Sequence, residues 1–143
     1  MNLEEFLLQT QAEVKAQIDE RLETLGTAYP YPETVFAEVV MQHMADIGMT
    51  FEPEACHYSA RVGNAILRLS GFAVSDEADQ LDLFVSLYDG GDMLIPIPDA
   101  ETKTAAEQCL RFLARCADGK LASTMDESND AHTLAVTIQS CYS

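Results

Sequence analysis

The side chains able to do chemistry in this chain are mostly carboxylates. Two or three carboxylates gathered on one face can hold Mg²⁺, which polarises a phosphoryl oxygen and activates water, and a nearby lysine then assists the attack. The residues placed to contribute to such a site are Glu38, Asp76, Asp79 and Asp82, with Ser70 where a further acid would serve. The lysine is missing. Asp82-Leu83-Phe84 puts phenylalanine at the position that needs it, and no lysine occurs between Lys15 and Lys103. The remaining acids describe a weak or vestigial metal site, or a set of ordinary surface carboxylates. Abundance alone picks no acid–base pair, because catalytic carboxylates need surroundings that split their pKa values. No catalytic residue and no metal ligand is therefore assigned. No cofactor is expected, except Mg²⁺ if the segment is a degenerate nuclease.

Other chemistries lack their frames. There is no GxSxG elbow, no HExxH, and no phosphate-cradling loop around Gly90-Gly91. Cys56 and His57 are adjacent, which gives poor convergence on zinc, and there is no CxxC pair. Cys109 and Cys116 are two helical turns apart and can share a face. All four cysteines read as reduced, buried and apolar.

The elements that must position these residues follow from periodicity. Apolar residues from Leu3 to Leu25 recur at close to 3.6, predicting a helix ended by Gly26. Residues 27–32 form a Pro-rich connector, whose Tyr29 and Tyr31 are expected to pack over the next helix. That helix spans about Thr34 to Ile47. Its apolar stripe is Phe36, Val39, Val40, His43, Met44 and Ile47, so His43 reads as a core or boundary histidine. Asn64–Ser75 and Leu81–Tyr88 read as strands around the polar turn Asp76–Asp79, making an antiparallel hairpin. On the first strand, Phe72 falls on the face opposite Leu67 and Leu69. A short strand near His57–Val62 is a weaker expectation. Thr102–Ala117 reads as a helix closed by Gly119, and Ala131–Cys141 as a last helix capped by Ser128 or Asn129. Apolar periodicity still runs at the end, so the chain reads as one domain from the N-terminal part of a longer protein.

The chain has 143 residues, with 24 acids against 8 bases, a formal charge of −16. At 48% apolar it is no acidic tail but can bury a core without disulfides. Such charge disfavours direct contact with nucleic acid or anionic membranes. No Lys or Arg occurs from Leu69 to Thr102. The acidic start, Met1-Asn2-Leu3-Glu4-Glu5, is unlike a signal peptide, and no apolar run approaches the ~20 residues of a bilayer span. A cytoplasmic protein is expected.

Several segments resemble the N-terminal region of abortive-infection phage-resistance (AIPR) proteins. Thr34-Val35-Phe36-Ala37-Glu38-Val39 through Ala45-Asp46-Ile47-Gly48 is similar to that family's F-x-E-V … L-x-E-A-G helix. Arg68-Leu69-Ser70-Gly71-Phe72 through Asp76-Glu77 resembles its R-x-D-G-Y-x-x-D-E strand and turn, and Leu81–Ser86 its L-x-L-F-V-S-D-F strand. Thr102-Lys103 with Arg111-Phe112-Leu113, and Asp126-Glu127-Ser128 before Ala131–Ala135, resemble two later segments. The likeness covers most of residues 34–140, within a family-like region 33–143 that follows a leading helix and connector in 1–32. Ser70 replaces the family's aspartate, and Leu87-Tyr88 its Asp-Phe, each removing an acid from a possible metal site.

The expected fold is α/β or α+β: helices flanking a small sheet with a central antiparallel hairpin. That order resembles a degenerate restriction-endonuclease-like core. The resemblance implies a non-catalytic domain of a bacterial phage-defence protein. It would act in positioning, sensing or contact with the C-terminal region of the same protein or with a protein partner. The alternatives are a degenerate metal-dependent nuclease and an acidic adaptor or nucleic-acid mimic. The sequence leaves the oligomeric state open.

Overall fold

A computed structural model of the chain describes residues 2–25, 31–91 and 93–142. Among these described residues the fold is mixed, with five helices and a three-stranded sheet. The first helix, α1, spans Leu3–Leu25. Asn2 and Glu5 cap it reciprocally: the Glu5 N–H donates to Asn2 Oδ1 at 2.8 Å, and the Asn2 N–H to Glu5 Oε2 at 3.3 Å. The second, α2, spans Pro32–Asp46 with proline at its first position, where the missing N–H costs nothing.

The α2 helix buries two faces rather than one stripe. Val35 and Val39 pack with Val14 and Ile18 of α1. Ala37 and Met41 are buried toward the sheet. His43 and Ile47 are consequently exposed, correcting the single-stripe expectation. His43 Nε2 lies 3.1 Å from Glu13 of α1. Tyr31 is 77% exposed and forms no lid; Tyr29 lies outside the described residues.

The sheet has the order β1-β2-β3, antiparallel throughout, with β1 at Pro53–Val62, β2 at Ala65–Val74 and β3 at Leu81–Phe84. The first turn closes in two residues because Gly63 takes φ +62, open to a residue without Cβ. The second turn is organised by Ser75, whose Oγ accepts from the N–H groups of Asp79 and Gln80. The hairpin expected from the sequence is present as β2 and β3.

Three boundaries differ from expectation, each for a local reason. Pairing of β1 with β2 shifts by one residue between Ala55 and Tyr58. That irregularity hides the first half of β1 from a period-2 reading, and it accompanies the packing of Phe72 on the same side as Leu67 and Leu69. The ladder of β3 stops at Phe84 because the Ser86 backbone bonds to side chains instead. Its N–H donates to Ser70 Oγ at 3.0 Å, and its carbonyl accepts from Arg68 Nη2 at 2.5 Å. The third helix, α3, spans Asp99–Ala117, starting three residues before Thr102, with Asp99 and Glu101 favourably placed in its first turn.

Two short segments complete the chain: α4 at Lys120–Thr124, not expected from the sequence, and α5 at His132–Cys141. The Ala131 N–H donates to Asn129 Oδ1 at 2.9 Å, setting the entry to α5. The main core lies between one sheet face and α3, α4 and α5. Leu67, Leu69, Phe112, Cys116 and Ile138 are its fully buried centre, each large apolar side chain contributing ~1.5–3 kcal/mol by leaving water. The opposite face carries α2, with α1 outermost.

Candidate functional site

The five residues singled out by chemistry sit on four elements. Glu38, on α2, pairs with Arg21 of α1, both side chains about 30% exposed. Ser70 is buried in β2, its hydroxyl 3.1 Å from Ser86 Oγ. Asp76 and Asp79 lie in the β2–β3 turn. Asp76 is exposed, and Asp79 Oδ1 accepts from Ser75 Oγ at 2.6 Å. Asp82 is the second residue of β3, where Oδ2 accepts from Thr50 Oγ1 at 2.6 Å and Oδ1 from Gln80 Nε2 at 3.1 Å. Among the described residues, no three His, Cys, Asp or Glu side chains gather as a metal cluster would.

What the fold does assemble is a polar seam on the α2 side of the sheet. Arg68, mostly buried, donates from Nη2 to Glu33 Oε1 at 2.8 Å and to the Ser86 carbonyl. Two residues along β2, Ser70 meets Ser86 and closes the seam. Together these bonds tie the start of α2, the middle of β2 and the segment after β3. Reading the sequence for acids missed Arg68, Glu33 and Ser86. The available signal was Arg68 itself, a lone cation among apolar strand residues, which demands a carboxylate partner when buried. Among the described residues neither serine bonds a histidine or a carboxylate, so neither has a base to activate it. The seam is suited to hold elements together.

The cysteines are also disposed for packing. Cys56, Cys109 and Cys116 are buried and unpaired, as expected, whereas Cys141 is exposed on the last turn of α5. Burial, aided by Asp130 and Glu54, pushes the Cys56 thiol up to about 11. Burial, aided by Asp118, pushes Cys116 up to about 12. A thiol so raised stays protonated near neutrality and is a poor nucleophile and metal ligand. No helix among the described residues is long and apolar enough to cross a membrane.

Residues 36–143 match the family model described as the abortive infection phage resistance protein N-terminal domain. The match takes in α2 from Phe36 onward, the whole sheet with Ser70 and Arg68, and the three helices of the main core. No curated protein and no solved structure matches the chain significantly. With the whole main core and, apart from Glu33, the polar seam inside the matched span, the chain belongs to the abortive infection phage resistance protein N-terminal domain family.

Proposed function

We propose that this domain is a non-catalytic part of an abortive-infection phage-defence protein, working in the cytoplasm through protein contact. Its role is to position or sense, with the C-terminal region of the same protein or a separate protein as its partner. The observation that carries this reading is how the acids are used. Glu38 is committed to Arg21, Asp79 to Ser75, and Asp82 to Thr50 and Gln80. The bonds of Glu38 to Arg21 and of Asp82 to Thr50 fasten separate parts of the chain, those to Ser75 and Gln80 brace the β2–β3 turn, and among the described residues no three such groups gather around one metal position. Metal-assisted phosphodiester cleavage needs those carboxylates to converge on one ion. The net charge of −16 also disfavours holding a nucleic acid.

The test is a cleavage assay on DNA and RNA with the 143-residue chain in Mg²⁺ and in Mn²⁺, beside the Asp82→Ala variant. The expected outcome is no metal-dependent cleavage by either. Cleavage that disappears in Asp82→Ala would overturn the reading in favour of a nuclease.

A further inference from the structure

An apolar groove lies between the start of α1 and the loop after β3, next to the polar seam, whose Ser86 adjoins the groove-lining Leu87. Leu7 and Gln11 form one wall, and Met93, Leu94, Ile95 and Ile97 the other. The floor includes the tilted ring pair Phe36–Tyr88, with centroids 4.8 Å apart. Two hydrogen bonds hold the walls in place. Gln11 Nε2 donates to the Gly91 carbonyl at 2.8 Å, and the Tyr88 hydroxyl donates to Gln11 Oε1 at 3.2 Å.

The lips of this groove are apolar and wet. Met93 is 78% exposed and Ile95 53%, and Phe6 is 46% exposed on α1 just beside the groove-lining Leu7. Exposed apolar side chains gathered around one groove mark an interaction site more often than scattered single ones do. The cavity of about 160 Å³ is below the ~300–1,000 Å³ of sites that enclose a small molecule. It suits one or two apolar side chains of a larger partner.

The surrounding charge selects the partner. Glu4 and Glu5 occupy the first turn of α1, Asp89 lines the groove, and Asp99 and Glu101, in the first turn of α3, follow the groove-lining Ile97 along the chain. No Lys or Arg occurs from residue 69 to 102, and Lys15 is the sole base in the first twenty residues. A second copy would bring the same acids and another −16 charges against this rim. An anionic membrane is repelled for the same reason.

We propose that this groove docks a basic amphipathic peptide segment of a protein partner. Its apolar side chains enter between α1 and residues 93–97, and its lysines or arginines face the acidic rim. This deepens the protein-contact reading and rests on it. Affinity comes from the apolar anchors, while the rim supplies steering and choice of partner.

The experiment is a fluorescence-polarisation titration of the 143-residue chain with a labelled helical peptide of leucine and lysine. A leucine–glutamate peptide of the same pattern runs beside it. Saturable binding of the lysine peptide is expected, weakening as salt rises, with none of the glutamate peptide. The double variant Ile95→Ser/Ile97→Ser should bind at least about tenfold more weakly, since two apolar anchors are lost. If circular dichroism shows that variant unfolded, Met93→Ser provides the same comparison. No saturable binding, or equal affinity for folded variant and wild type, overturns the proposal. So does self-association that the serine variant abolishes, which would make a second copy the occupant. The nuclease assay judges the non-catalytic reading separately: absence of both cleavage and peptide binding removes the groove proposal alone.

Discussion

Gly71→Ala puts the packing of α2 on the sheet to a direct test. Gly71 sits in β2, opposite Ala55 of β1 and Phe84 of β3. A Cβ there would lie 2.5 Å from Met41 Sδ, 2.6 Å from Met41 Cε and 2.8 Å from the Glu54 carbonyl oxygen. Both methionine atoms belong to a flexible side chain and can move. The carbonyl belongs to a paired strand and moves only if β1 shifts. Overpacking of this kind costs ~1–3 kcal/mol. Replacing glycine in a strand returns ~0.5–1 kcal/mol of backbone entropy. The net loss should be about 1–2 kcal/mol.

Urea unfolding of the wild type, Gly71→Ala, Met41→Ala and the double variant measures it, read as midpoint shifts at constant m-value. Met41→Ala alone should cost ~2–5 kcal/mol, because the side chain is buried. The two changes relieve each other, so the double variant should lose less than the sum, by more than ~0.5 kcal/mol. A strictly additive pair would place the whole conflict on the Glu54 carbonyl and refute the part assigned to Met41. A Gly71→Ala variant as stable as the wild type would refute the steric reasoning altogether.

Thiol labelling should separate the cysteines: mass spectrometry after brief alkylation should show fast modification at Cys141 and the other three protected until denaturant is added. The raised thiols also set a pH dependence. From the ordinary value of 9.0 up to about 11 for Cys56 and about 12 for Cys116, the folded state binds more protons than the unfolded one. Stability from these groups is therefore complete below pH 9 and falls as pH climbs through that window, and a Cys56→Ala/Cys116→Ala variant should show a flatter decline. Arg68→Ala should cost ~1.5–3 kcal/mol in urea unfolding, because it strands Glu33 and the Ser86 carbonyl at the polar seam. Phe112→Ala, at 0% exposure in the main core, should cost ~3–5 kcal/mol and lower the melting temperature markedly.

Much of the fold was legible because it is locally coded. The 3.6 period located α1 and α3, and the spacing of Cys109 and Cys116 put both on the buried face of α3. Alternation in Leu81-Asp82-Leu83-Phe84 located β3, and Asp76–Asp79 the turn before it. The first half of β1 was not legible, because a pairing irregularity breaks the period-2 rule that reveals strands. The α4 helix has five residues, too few for any period to emerge. His43 was misplaced because α2 is packed between α1 and the sheet, and one apolar stripe cannot describe a helix with two buried faces.

The candidate acids illustrate the same divide. The sequence by itself determined which carboxylates exist, the order of helices and strands that carries them, the missing lysine, the charge of −16 and the family resemblance. Each is a property of residue types and of their spacing along a few turns of chain. Only the tertiary structure decided that Glu38 meets Arg21, that Asp82 meets Thr50, and that Arg68 closes a seam with Glu33 and Ser86. It alone brought Leu7 of α1 opposite residues 93–95 to make a groove. These partners lie 17 to 35 positions apart for the bonds and further for the groove, so no local period links them. Their meeting depends on which faces of separate elements lose water together, and that is settled only when the whole chain packs.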